Sequence, residues 1–287
     1  MTTSSARGTA HEVRVGAATI GYRELGIGAP VVFVHGLLVN GDLWRQVVPG
    51  VARAGLRCLT PDWPLGSHSL AVPGVDLTPT GVAALIAGFL DALDLHDVTI
   101  VANDTGGALT QILMTQHPER IGRVVLTPSD SFRHFFPPMF AVLPRLAKIP
   151  GGTWLLVQSL RLRALHRLPV AFGWLSKRAI PADVMTSYLG PAQRSAAIRD
   201  DLRRFLRSVH KRHTLAAAQA LPAFTRPVLL AWASEDRVFP LADGRRLADL
   251  LPGARLVEIA DSYTFVPEDQ PEILTGLIVD FVTGSAA

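Results

Sequence analysis

Residues 101–110 read VANDTGGALT. A short apolar, β-rich run, 97–101, leads into this stretch, and residues 107–117 after it carry apolar side chains at helical spacing. A chain that passes from strand to helix in so few residues must bend sharply. Ala102, Gly106 and Gly107 are small enough to allow the bend, which leaves Asp104 projecting from the C-terminal edge of a sheet. There it faces the free N–H groups of a helix N-terminus, which favour negative charge. A carboxylate in this place needs no proton removed before it attacks a carbon bearing a leaving group. An ordinary Asn-Asp turn capping a helix would use the same letters, so the surrounding chain has to decide between them.

Working outward, runs 30–34, 57–60, 122–127, 227–233 and 255–260 are also short and apolar along most of their length. Such runs suit strands covered on both faces, hence a parallel sheet. The helical pattern at 80–93 repeats the alternation. The expectation is an α/β, doubly wound, mostly parallel sheet. Between Asp130 and Pro227 no convincing strand occurs, and helical patterns fill 139–147, 154–167, 181–189, 194–211 and 214–220. An excursion of that length is an inserted helical cap, giving a core of 1–130 and 227–287 and a cap of 131–226. The cap is rich in arginine, including Arg161, Arg163, Arg167 and Arg178. Two readings stay open for that charge: a solvated helix face, or a field that steers an anionic substrate.

Composition narrows the class. The chain has 287 residues, 48% hydrophobic and 18% charged, with a net charge of +4, so it can bury a sizeable core. No long Lys/Arg run appears, which argues against a nucleic-acid partner. A single cysteine excludes an intrachain disulfide and fits a reducing cytoplasm. Residues 1–16 lack an apolar signal core and no run reaches the ~18 apolar residues of a membrane span, so no membrane partner is expected. Arginine-rich, lysine-poor usage suits a high-GC bacterium. No metal-ligand spacing and no nucleotide-binding glycine motif occurs, so neither metal nor cofactor is expected. The expected partner is a small-molecule substrate, and a homodimer is left open.

Other strand ends supply candidate site residues. His35-Gly36-Leu37 follows run 30–34, and the N–H of Leu37 together with that of Thr105 can form an anion hole. Asp236 follows run 227–233, in chain order for an acid that orients a base. The base is then sought in the loop after 255–260, DSYTFVPEDQ, residues 261–270.

HGLLVNGDLW, PDWPLGSHS, ANDTGG, ASEDRVFP and FVPEDQP, in this order and spacing, resemble the α/β-hydrolase superfamily. The resemblance spans about 14–282 and is nearest the branch with an aspartate nucleophile, which includes haloalkane dehalogenases, epoxide hydrolases and fluoroacetate dehalogenases. It implies an active site between cap and core. It also places the family's catalytic histidine on Thr264. Other signatures depart as well: HGLL stands where epoxide hydrolases have HGxP, Tyr188 is the only cap tyrosine, and Leu37 and Thr105 occupy the halide-gripping positions. A threonine hydroxyl cannot take a proton from water near neutral pH, a service worth ~10²–10⁴-fold in rate. His68, in the loop after run 57–60, is the first candidate for a replacement base and His134 the second. Asp130 either assists or caps the next segment. Thr264, Tyr263, Asp130 and His134 are expected to line the pocket.

Three readings stay open. One is an enzyme, a hydrolase acting on a small, largely apolar ester, epoxide or halide through Asp104, with an atypical base. Another is a lyase, isomerase or cyclase in which Asp104 abstracts a proton. The third is a non-catalytic ligand-binding protein.

Overall fold

The computed structural model describes residues 8–284. Eight strands form one sheet: β1 (Thr9–Val15), β2 (Ala18–Leu25), β3 (Ala29–Val34), β4 (Leu56–Pro61), β5 (Val98–Asp104), β6 (Ile121–Ser129), β7 (Val228–Ala233) and β8 (Ala254–Ile259). Their order is β1-β2-β4-β3-β5-β6-β7-β8. β1–β2 and β2–β4 are antiparallel, and every later pair is parallel. Every residue of β5 and β7 is buried, because helices cover both faces of the parallel part. That burial is why these strands read as unbroken apolar runs.

The β1–β2 hairpin was not among the strands expected from the sequence. Its signal is present but quieter. β2 alternates buried and half-buried residues, and the turn at Gly16 (φ +57°) needs the left-handed backbone that glycine tolerates. An edge hairpin exposed on one face carries half the apolar content of a central strand, so a search for apolar runs passes over it.

Between β6 and β7 the described residues form helices and turns without a strand. The longest helices there are Ala182–Arg194 and Ala196–Ser208, the second opened by Ser195, whose hydroxyl accepts from Ile198 N at 3.3 Å. The helix expected at 154–167 breaks. It runs Gly152–Ser159, then gives way to a 3₁₀ turn at Arg163–Arg167. Ser159 bonds back to Leu156 O at 2.7 Å, and Pro169 forces Leu168 to extended backbone.

Candidate functional site

Strands β3, β5, β6, β7 and β8 all end at the same edge of the sheet, so the loops that follow them meet there. Asp104 closes β5 and starts helix Thr105–Gln116. Its backbone sits at φ +56°, a strained conformation for a residue with a side chain. The surroundings force it. A Cβ on Gly106 would stand 2.5 Å from His35 O, and one on Gly36 would stand 2.6 Å from Asp104 Cβ. Only glycine lets β3, the elbow and the helix approach this closely. The side chain of Asp104 is buried, and its Oδ2 accepts from Leu37 N at 3.2 Å. The N–H of Thr105 also reaches it. Burial nonetheless pushes the carboxyl up to about 7, with the two N–H groups opposing the rise.

Two further carboxyls lie nearby, Asp130 buried and Asp236 half-buried. Asp130, after β6, accepts from Thr105 Oγ1 at 3.1 Å, and its other oxygen has no hydrogen-bond partner among the described residues. Burial, and then the charge of Asp104, raise it well above the usual carboxylate range. Asp236, after β7, accepts from Val238 N at 2.6 Å and Phe239 N at 2.7 Å. Its second oxygen accepts from Thr264 Oγ1 at 2.9 Å. Burial pushes Asp236 up to about 7. Among the described residues no group of three or more His, Cys, Asp or Glu is arranged to hold a metal ion.

Thr264 is held from below. Asn103 Nδ2 donates to Thr264 O at 2.7 Å and to Thr127 Oγ1 at 2.7 Å, locking the loop after β8 against the elbow. From above, Phe265 N donates to Leu175 O at 2.6 Å. Sequence reading missed Asn103. A buried amide beside the apex residue was its only signal, and its partner lies 161 positions away.

The two histidines proposed as bases are each paired with a carboxylate of another element. His68 is buried, with Nε2 on Asp201 at 3.0 Å and Nδ1 accepting from Gly66 N at 3.4 Å. It ties the loop after β4 to helix Ala196–Ser208. His134 Nδ1 pairs with Asp243 at 2.8 Å. His35 accepts from Trp63 N at 2.8 Å through Nε2 and fixes the turn after β3.

An apolar cavity of about 80 Å³ adjoins Asp104, with Leu37, Leu38 and Thr105 below and Phe136, Leu160 and Phe172 among the residues above. This is small beside the ~300–1,000 Å³ of drug-sized ligand pockets. Four residues expected in its wall lie outside it. Thr264 packs behind Asp104 on Asp236. Asp130 sits beneath Thr105. The Tyr263 ring lies under the Arg237 guanidinium at 4.9 Å, and His134 turns to Asp243. The actual upper wall comes from aliphatic and aromatic side chains of the helical excursion, which no motif marks.

The sequence model of the alpha/beta hydrolase fold family matches residues 29–271. An uncharacterized hydrolase of Bacillus subtilis, YugF, is 27% identical over 88% of this chain and 89% of its own length. Haloalkane dehalogenase 2 of Mycobacterium tuberculosis is 26% identical over 91% of this chain and 90% of its own. The crystal structure of an ancestral haloalkane dehalogenase superposes with a TM-score of 0.79 at 24% identity, covering 96% of this chain and 98% of that one, a likeness of fold. With a family match that runs from β3 through the elbow and the helical excursion to beyond β8, the chain belongs to the alpha/beta hydrolase fold family.

Proposed function

We propose that this protein is a hydrolase that uses the Asp104 carboxylate as its nucleophile against a small, largely apolar substrate. The observation that carries this reading is Asp104 itself: buried, strained at φ +56°, bound by the N–H of Leu37 and facing an apolar cavity. One Asp104 oxygen attacks the alkyl carbon of an ester, epoxide or halide, so that the covalent product is an alkyl ester of Asp104. The bond to halide or carboxylate breaks and that group departs with its electron pair; an epoxide oxygen takes the pair, stays on the product and gains a proton from water. The resulting ester is held with its carbonyl oxygen toward the N–H groups of Leu37 and Thr105. Those donors stabilise the oxyanion that forms when water adds to the ester. The position from which a histidine would deprotonate that water carries the Thr264 hydroxyl, backed by Asp236. Clearing the ester is therefore the slow step.

A second reading, favoured by the rise of Asp104 to about 7, makes it a proton-abstracting base in a lyase, isomerase or cyclase. A carboxyl that titrates near neutral is matched to that work. The absence of a water-activating histidine then protects the reaction from hydrolysis.

One experiment tests both. Purified protein is incubated with small esters, epoxides and haloalkanes while product and intact mass are followed. Turnover with an adduct mapped to Asp104 supports the nucleophile. Exchange of a substrate C–H in deuterated water without an adduct supports the base. No turnover, no adduct and no exchange, with Asp104→Asn indistinguishable from wild type, sinks both.

A further inference from the structure

Nine large apolar side chains stand exposed among the described residues, and seven of them fall within residues 142–170. Ile149, Trp154, Leu155, Leu162, Leu168 and Val170 are 42–64% exposed. Exposed large apolar side chains gathered in one segment of the chain make that segment a candidate docking surface. The charge of the segment itself has one sign, although Arg178 is paired with Asp261 and Trp154 shares a hollow with Asp200. From residue 131 to 182 the chain has eight Lys or Arg and no Asp or Glu. Arg161 and Arg163 flank Leu162, Arg167 precedes Leu168, and all three cations are exposed. They line a surface groove of about 410 Å³ together with His166 and Arg178.

We propose that this face docks on an anionic lipid bilayer. Exposed apolar side chains would enter the headgroup boundary while the arginines bind lipid phosphates, the pairing that holds peripheral proteins to a bilayer surface. Charge decides against the two other occupants. A second copy meeting this face through a two-fold axis would bring cations against cations. A nucleic acid would take the charge but leave the tryptophan, leucines and isoleucine in water. This is attachment to a surface: no helix among the described residues is long and apolar enough to cross a membrane. It departs from the expectation of no membrane partner, which considered only spanning and signal segments.

The position of the face gives the docking a use. Val170 is 55% exposed and also lines the cavity beside Asp104. Leu160 and Phe172 separate that cavity from the arginine groove, lining both. An apolar molecule dissolved in the bilayer would enter the cavity without crossing water. This second half rests on the proposed role of Asp104; the docking does not.

The full-length protein is sedimented with vesicles of phosphatidylcholine, with and without phosphatidylglycerol. Binding to the anionic vesicles, weakened by salt, is expected. Trp154→Asp with Leu162→Asp, and separately Arg161→Glu with Arg163→Glu, should each lower the partition roughly tenfold or more, with circular dichroism unchanged. Asp104→Asn should bind as wild type does, which separates this outcome from any failure of the catalytic reading. The proposal is overturned if wild type does not sediment with anionic vesicles. It is equally overturned if both paired variants bind unchanged, or if light scattering shows a dimer that Leu162→Asp dissociates.

Discussion

Thr264 Oγ1 donates to Asp236 Oδ2 at 2.9 Å, so the acid after β7 is joined to the hydroxyl on which the sequence resemblance would place a histidine. The bond ties the loop after β8 to the end of β7. Asp236 still has a partner, and Asn103 still clamps the loop. Thr264→His should therefore restore a general base between Asp236 and Asp104. The expected gain in the rate of ester clearance is ~10²–10⁴-fold. It is read as the lifetime of the Asp104 adduct by mass spectrometry, and an unchanged lifetime would refute the assignment of the slow step.

Asp104 acts as nucleophile or base only when ionised. With its pKa raised to about 7, the fraction ionised climbs across neutral pH, where an unperturbed aspartate is fully charged. The pH profile of kcat/KM should thus have a rising limb centred near 7. A limb near 4, the ordinary aspartate range, would mean that the site is wetter than its burial implies.

Asp236 affects stability with a definite sign. Its folded pKa, about 7, lies above the ordinary 3.8, so the folded state holds the proton more tightly. The stabilising contribution is fully present below about 4 and is lost as pH rises through about 7. Asp236→Asn keeps an acceptor for Val238 and Phe239 but cannot ionise. It should be more stable than wild type at pH ~8 by on the order of 1–3 kcal/mol and near neutral in effect at pH ~4. Urea titrations at the two pH values check this, and a pH-independent difference would contradict it.

Gly36 offers a steric test. An added Cβ would meet the Asp104 side chain at 2.6 Å, so Gly36→Ala must displace either the carboxylate or the turn that presents Leu37 N–H. Activity should fall about 10²-fold or more through loss of the N–H alignment, with a stability cost of ~1–3 kcal/mol. Wild-type activity in a folded Gly36→Ala protein would remove Leu37 from the mechanism.

Tyr188, the one tyrosine of the helical excursion, serves packing rather than chemistry. It donates to Glu268 at 3.0 Å, and Glu268 also holds Arg45 through two bonds of 2.5 and 2.7 Å. Tyr188→Phe should cost ~1–3 kcal/mol and leave kcat unchanged. Glu268→Ala leaves the half-buried Arg45 guanidinium with Asp42 O and should cost ~1–3 kcal/mol. Chemical denaturation with parallel rate measurements distinguishes these effects from a catalytic role.

The sequence by itself determined the sheet's parallel part, the elbow and the position of Asp104. Each of these is a local property: unbroken apolar runs follow from burial on both faces, and a strand–helix bend demands small residues beside its apex. The resemblance's placing of a histidine on Thr264 is local too, since it rests on the register of FVPEDQP. What the tertiary structure alone decided was company. His68 looks like a free loop histidine until the fold brings Asp201 to it from 133 positions away. Asn103 and Thr264 meet across 161. The cavity wall, made of ordinary leucines and phenylalanines, has no motif because apolar packing depends on shape and volume, which a linear order of residues does not carry.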